Sequence, residues 1–114
     1  MPRSITESQM EEFSQTLRKT LEELGNSRGF EIKGKLTISV ARNLDSLAII
    51  KGNRIYVSSK ARRYPKSVLR YIVSHEVAHI ATRRHRTRFW ETVARIYPNY
   101  ESARKRLREL HYVP

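Results

Sequence analysis

The sequence predicts an α+β fold in one domain over residues 1–114: a small three-stranded sheet, an N-terminal helix, a central helix carrying histidines, and further helices at the C-terminal end. Three observations carry this reading. Apolar residues recur every three or four positions in 6–25, 65–82 and 87–110, the period of half-buried helices. Leu36, Ile38 and Val40 alternate with Lys35, Thr37 and Ser39, the period of a half-buried strand. Two further apolar runs meet at Gly52-Asn53, as the arms of a hairpin do. A chain of 114 residues has room for one modest core and no second domain.

The first helix has a clear start. Thr6 and Gln9 have the spacing of a capping box, and Ile5 with Met10 can form the hydrophobic staple across it. Met10, Phe13, Leu17, Leu21 and Leu24 make its apolar stripe, Glu7, Glu11, Glu12, Glu22 and Glu23 make the other face acidic, and Gly25 is its natural C-cap. Residues 26–35, with Gly29 and Gly34, read as a loop before the first strand. A turn at Asn43 to Ser46 leads into Leu47 to Ile50, and Arg54 to Ser58 returns from the hairpin turn. Pro65 opens the central helix, where its missing N–H costs nothing. In that helix Val68, Ile72, His75 and His79 share one stripe and Leu69, Val73, Val77 and Ile80 the next, so a histidine face adjoins a core face. The helix is expected to end near Thr82. Thr87 caps another, with Phe89, Trp90, Val93 and Tyr97 inward and Pro98 as its stop. Tyr100, Ala103, Leu107 and Leu110 set the stripe of the last helix, and Arg104, Lys105, Arg106 and Arg108 lie on its other face, away from the histidines.

Chemistry concentrates in His75-Glu76-Val77-Ala78-His79. Residues four apart on a helix stand one turn apart on one face, so His75 and His79 offer two imidazoles to a single ion. Glu76 sits beside them on the rim. Two neutral imidazoles suit Zn²⁺, and a carboxylate that is not itself a ligand can take the proton of a water polarised by the ion. His85 is the natural third ligand. A glutamate from a later helix is the alternative, and Glu91 and Glu101 are available; a glutamate that does not ligate could orient a histidine. Tyr97, Tyr100 or a neighbouring arginine could supply a second donor to the developing oxyanion. With no cysteine in the chain, thiolate sites and disulfides are excluded. Three of the four histidines fall in this motif.

The His75, His79, His85 spacing equals that of metzincin proteases, but Thr82 stands where they carry glycine, and no methionine follows the motif to form their later turn. The run from Tyr64-Pro65 through Tyr71-Ile72-Val73, His75-Glu76-Val77-Ala78-His79, His85 and Phe89-Trp90 to Pro98 resembles instead the YgjP-like small zinc metallopeptidases, related to the SprT-like and minigluzincin groups. Upstream, Asp45-Ser46-Leu47-Ala48 stands where YgjP-like members commonly have Trp-Gly-Ser-Cys. The resemblance implies a minimal zincin scaffold that hydrolyses peptide bonds, with Zn²⁺ as cofactor and a peptide or protein as substrate. Minigluzincins include latent forms, which implies a possible latent state here, with a tail including His111 and Tyr112 entering the cleft. A substrate is expected to lie extended along a sheet edge, with Leu47 to Ile50 the candidate strand.

The net charge of +12 is uneven. Residues 1–57 hold 9 Lys/Arg against 7 Asp/Glu, whereas residues 58–114 hold 14 against 4, so the histidine-bearing half carries nearly all the excess. Such a field favours polyanions, non-specific nucleic acid among them, or acidic protein substrates. The alternative function is therefore a nucleic-acid-associated protein, either an SprT-like protease or a non-enzymatic zinc-binding module, using this basic surface. No secretory core and no membrane-length apolar run is present, so the chain reads as cytoplasmic, with no membrane partner.

Overall fold

The first helix begins where its capping signal stands. The computed structural model describes residues 6–25, 36–81 and 87–111. Thr6 N–H donates to Gln9 Oε1 at 3.0 Å and Gln9 N–H donates to Thr6 Oγ1 at 3.1 Å, closing both halves of the capping box. Helix α1 then runs Glu7–Gly25. Its inward stripe is Phe13, Leu17, Thr20 and Leu24. Thr20 is accommodated there because its hydroxyl donates to the Thr16 carbonyl at 2.8 Å, so its own polar group is not buried unpaired. The expected staple partner Ile5 and the loop 26–35 lie outside the described residues.

Three strands follow: β1 (Thr37–Ala41), β2 (Ala48–Lys51) and β3 (Arg54–Ser58). Their order is β1-β3-β2, with β3 in the centre, parallel to β1 and antiparallel to β2. Ile55 and Val57 of β3 are fully buried, as a central strand covered by helices requires. Gly52 closes the β2–β3 turn at φ +58°, a left-handed conformation that a Cβ would strain. Asn53 beside it offers its carbonyl to Thr37 N–H at 2.9 Å, which ties the turn to β1. β2 is thus an edge strand. Leu47 O accepts from Ser58 N–H at 2.8 Å, so Leu47, Ile49 and Lys51 bond inward to β3 and Ala48 and Ile50 direct their backbone groups to the free edge.

A 3₁₀ turn, Ser59–Ala61, leads to the central helix α2, Lys66–Ala81. The Pro65 carbonyl accepts the first helical bonds, from Val68 and Leu69 N–H at 3.0 and 3.1 Å. α2 touches α1, β2, α3 and α4, which is why nine of its residues are buried, including the polar Ser74 and Glu76. Ser74 is satisfied within the helix, donating to the Arg70 carbonyl at 2.7 Å. Ile80, expected on the core stripe, is instead 39% exposed, because it lies in the last turn of α2 where the covering elements have ended. α3 (Thr87–Ile96) buries Phe89, Val93 and Ile96, and α4 (Tyr100–His111) lies against α2. Trp90, expected inward, is only partly buried: at one step round from Phe89 it falls at the seam between α3 and α4 rather than in the core. No helix among the described residues is long and apolar enough to cross a membrane.

Candidate metal centre and cleft

His75 and His79 project from one face of α2 with ring centroids 4.9 Å apart, as four-residue spacing on a helix demands. Both rings are held from the α3 side by Phe89, which is wholly buried and lies 5.1 Å from the first and 4.7 Å from the second. Trp90 meets His75 edge-on at 6.2 Å, and Tyr71, one turn earlier on α2, meets it at 5.9 Å. The imidazoles therefore stand in an aromatic frame that limits ring rotation. Glu76 is buried, 7% exposed, and its Oε1 lies 3.5 Å from His75 Nδ1, too far for a strong hydrogen bond.

Two clefts flank this face along the β2 edge. The first, about 400 Å³, is walled by Leu47 and Ala48 on the strand side, by Tyr71, His75 and Glu76 on α2 and by Leu107 on α4. Asp45 and Lys60 also border it. The second, about 500 Å³, lies beside Ile50, Lys51, Gly52 and His79. The two histidines thus face successive positions of one exposed strand edge.

The donor set fits a zinc ion. Two imidazoles share a face, each opening onto one of the two clefts, a buried carboxylate stands beside them, and nitrogen and oxygen are the donors zinc accepts when thiolate is absent. His85, the expected third ligand, lies outside the described residues, as do Arg83, Arg84 and Arg86. Glu91 and Glu101, the alternatives, are both exposed. Glu91 sits two residues beyond Phe89, about 200° round α3 from the side chain that touches the histidines, so the helix turns it away. Glu101 accepts from the Tyr100 hydroxyl at 3.4 Å. Among the described residues no three His, Asp or Glu side chains are grouped to hold a metal.

The cleft also contains residues that motif reading passes over. Tyr97 and Tyr100, expected as oxyanion donors, do not line it, whereas Tyr71 does. Its place one turn before His75 on the same face is the signal that could have found it. Burial pushes the Tyr71 hydroxyl pKa above its usual value of 10.0, against the opposing pull of Arg104 and Arg108 and with a further small push from Tyr100. For Arg104 the expected place on the face away from the histidines is corrected. Arg104 stands 4.4 Å over the Trp90 ring, and Trp90 also stacks on Tyr100 at 5.8 Å and touches His75.

A sequence model of the YgjP-like metallopeptidase domain matches residues 2–110. In structure the chain is similar to the crystal structure of the metallopeptidase zymogen abylysin of Pyrococcus abyssi, with TM-score 0.61, 20% sequence identity, and 86% of this chain and 90% of that one covered. It is similar also to the metallopeptidase zymogen jannalysin of Methanocaldococcus jannaschii, with TM-score 0.62, 14% identity, and 87% and 94% covered. At these identities the likeness speaks for the fold. No curated protein is similar enough to the chain to match it.

Proposed function

Since this chain belongs to the YgjP-like metallopeptidase family, we propose that it is a zinc-dependent peptidase in which His75, His79 and His85 hold the ion and Glu76 is the general base. The observation that carries the reading is the shared face of α2: two imidazoles 4.9 Å apart and a buried carboxylate, all opening onto clefts along a free strand edge. When bound, zinc supplies Lewis acidity, which polarises the peptide carbonyl and lowers the pKa of water to about 7. Glu76 takes a proton from the attacking water as its oxygen bonds to the carbonyl carbon. The same carboxyl then gives that proton to the amine as the C–N bond breaks. Its burial keeps the transfer out of bulk solvent. Ala48 and Ile50 position the substrate, because their outward backbone groups can pair with an extended peptide and hold its carbonyl over the histidine face.

Latency belongs to the same reading. The crystal structures of abylysin and jannalysin, to which the chain is similar, are of zymogens. The segment that would enter the cleft is the tail that follows His111, the last residue of α4, one turn beyond the cleft residue Leu107. A peptidase held latent in this way gains activity when residues 112–114 are removed.

Metal analysis with a quenched-peptide assay tests the function. The purified protein is expected to hold one zinc per chain, and His75→Ala or His79→Ala to lose it. Glu76→Gln is expected to keep the zinc and lose hydrolysis by about three orders of magnitude or more, since an amide cannot take the proton. Equal zinc in wild type and His79→Ala, or equal turnover by Glu76→Gln, would sink the reading.

A further inference from the structure

We propose that the Tyr71 hydroxyl is a substrate-binding donor, which gives its hydrogen bond to the first main-chain carbonyl of the peptide beyond the scissile bond, on the side of the leaving amine. The inference rests on the peptidase reading above and adds a residue to its machinery.

Tyr71 is a buried side chain, 6% exposed, and it lines the cleft beside His75 and Glu76. Its hydroxyl has no hydrogen-bond partner among the described residues. Nor is it sealed in: among those residues Arg70 Nε is the only fully enclosed side-chain polar atom left unpaired, so the Tyr71 oxygen opens to the cleft. A buried phenol ordinarily finds an acceptor, because a dry, unpaired O–H is costly. Here the acceptor comes from whatever occupies the cleft. The cleft's other hydroxyl, on Ser46, is spent on the Ala48 carbonyl at 3.2 Å, and neither Asp45 nor Glu76 accepts from Tyr71. Leu47, Ala48, Ile72 and Leu107 bring apolar side chains that cannot compete for the hydroxyl, and their low polarity strengthens any hydrogen bond made among them.

Position selects the acceptor. Along α2 the order is Tyr71, His75, His79, each one turn after the last. Glu76 lines the cleft that Tyr71 and His75 share, whereas His79 lines the second. Since Glu76 hands its proton to the amine, the half of the peptide that leaves as that amine lies on the Tyr71 side. The Tyr71 and His75 ring centroids are 5.9 Å apart, a span of between one and two residues of extended chain at about 3.3 Å each. At that distance from the scissile carbonyl the next main-chain acceptor is the carbonyl of the residue that supplies the amine. Holding it fixes the amine nitrogen against Glu76, so one hydroxyl serves both binding and proton delivery.

Wild type and Tyr71→Phe, a change that keeps the ring against His75 and removes one oxygen, are compared on two quenched peptides. One is all-amide; in the other an (E)-alkene replaces the amide that follows the residue after the scissile bond, so the carbonyl is gone and the shape is kept. Tyr71→Phe is expected to lower kcat/KM about tenfold on the all-amide peptide, the order of one neutral hydrogen bond, and to leave the alkene peptide unaffected. Zinc content and far-ultraviolet circular dichroism should match wild type. An equal loss on both peptides would make Tyr71 a packing residue and overturn the proposal, as would no loss on either. The same peptides, fluorescein-labelled, are titrated against the zinc-loaded full chain carrying Glu76→Gln, with and without Tyr71→Phe, so that binding is read without turnover. A preference for the all-amide peptide that depends on Tyr71, with no cleavage by the wild-type chain, keeps the donor and fails the peptidase reading. Cleavage by the wild-type chain with no such preference in either measurement fails the donor alone, and absence of both binding and cleavage overturns both.

Discussion

At the scale of single residues, the site depends on groups that are not themselves ligands. Phe89 has no polar atom, yet it is wholly buried against both imidazoles and so fixes where their nitrogens point. Phe89→Ala is expected to cost about 3–5 kcal/mol of stability through the cavity it leaves. Because outer groups that orient metal ligands commonly affect affinity by about ten- to hundredfold, zinc titration of whatever fraction remains folded should show a weakening of that order. Unchanged zinc affinity would mean that the histidines orient themselves. His85→Ala should weaken zinc far more than Glu91→Ala or Glu101→Ala, since both glutamates are exposed; the reverse order in the same titration would make a glutamate the third ligand. Tyr71 gives a pH signature. Its folded-state pKa is raised above 10.0, so its contribution to stability is complete below that value and is lost as pH rises through the folded value, where only the unfolded chain ionises readily. Urea midpoints measured at about pH 9 and about pH 11 should fall less in Tyr71→Phe than in wild type.

At the scale of elements, the signals that held were those whose physics is local. A capping box depends on residues three apart, and Thr6 and Gln9 form it as their spacing requires. Thr6→Ala should therefore cost about 1 kcal/mol in chemical denaturation and leave zinc content alone, because α1 contributes no residue to the cleft. The hairpin at Gly52-Asn53 was equally legible, since only a few residues must agree. Its place at the sheet edge was not, because strand order follows from which faces the helices cover. That edge makes a sharp test of substrate positioning. Ala48 sends its N–H outward, so Ala48→Pro removes a donor to the substrate without breaking the bonds to β3, which proline at the start of an edge strand permits. The Michaelis constant for an extended peptide should rise about tenfold or more with little change in unfolding temperature. A rise in neither quantity would show that the peptide does not pair with this strand.

At the scale of the whole molecule, charge matters most. The +12 total resides almost entirely in residues 58–114, and exposed cations such as Arg88, Arg95 and Lys105 are spread over α3 and α4. A surface of this kind should bind nucleic acid weakly, without base preference and with steep salt dependence, since each phosphate contact releases counterions. Dissociation constants of roughly 10⁻⁴ to 10⁻⁶ M at about 0.15 M salt are expected for single-stranded DNA. An anisotropy titration that stays flat into the high micromolar range would leave the exposed cations to solubility.

The sequence by itself determined the elements and the chemistry they could carry: a helix with two histidines and a glutamate on adjoining positions, an alternating strand, a glycine-turned hairpin and a basic last helix. These follow from periods of two and 3.6 residues and from caps and turns, all of which act over a few positions. Only the tertiary structure decided which side chains meet. It set β3 between β1 and β2, turned Glu91 outward, made Phe89 the floor under both histidines, left Trp90 at a helix seam under Arg104 and brought Tyr71 to the cleft. Helical spacing shows that residues share a face. The rotation of that face toward or away from a site is fixed by the burial of apolar surface between elements far apart in the chain, where Val93, Ile96 and Ala103 place α3 and α4 against α2.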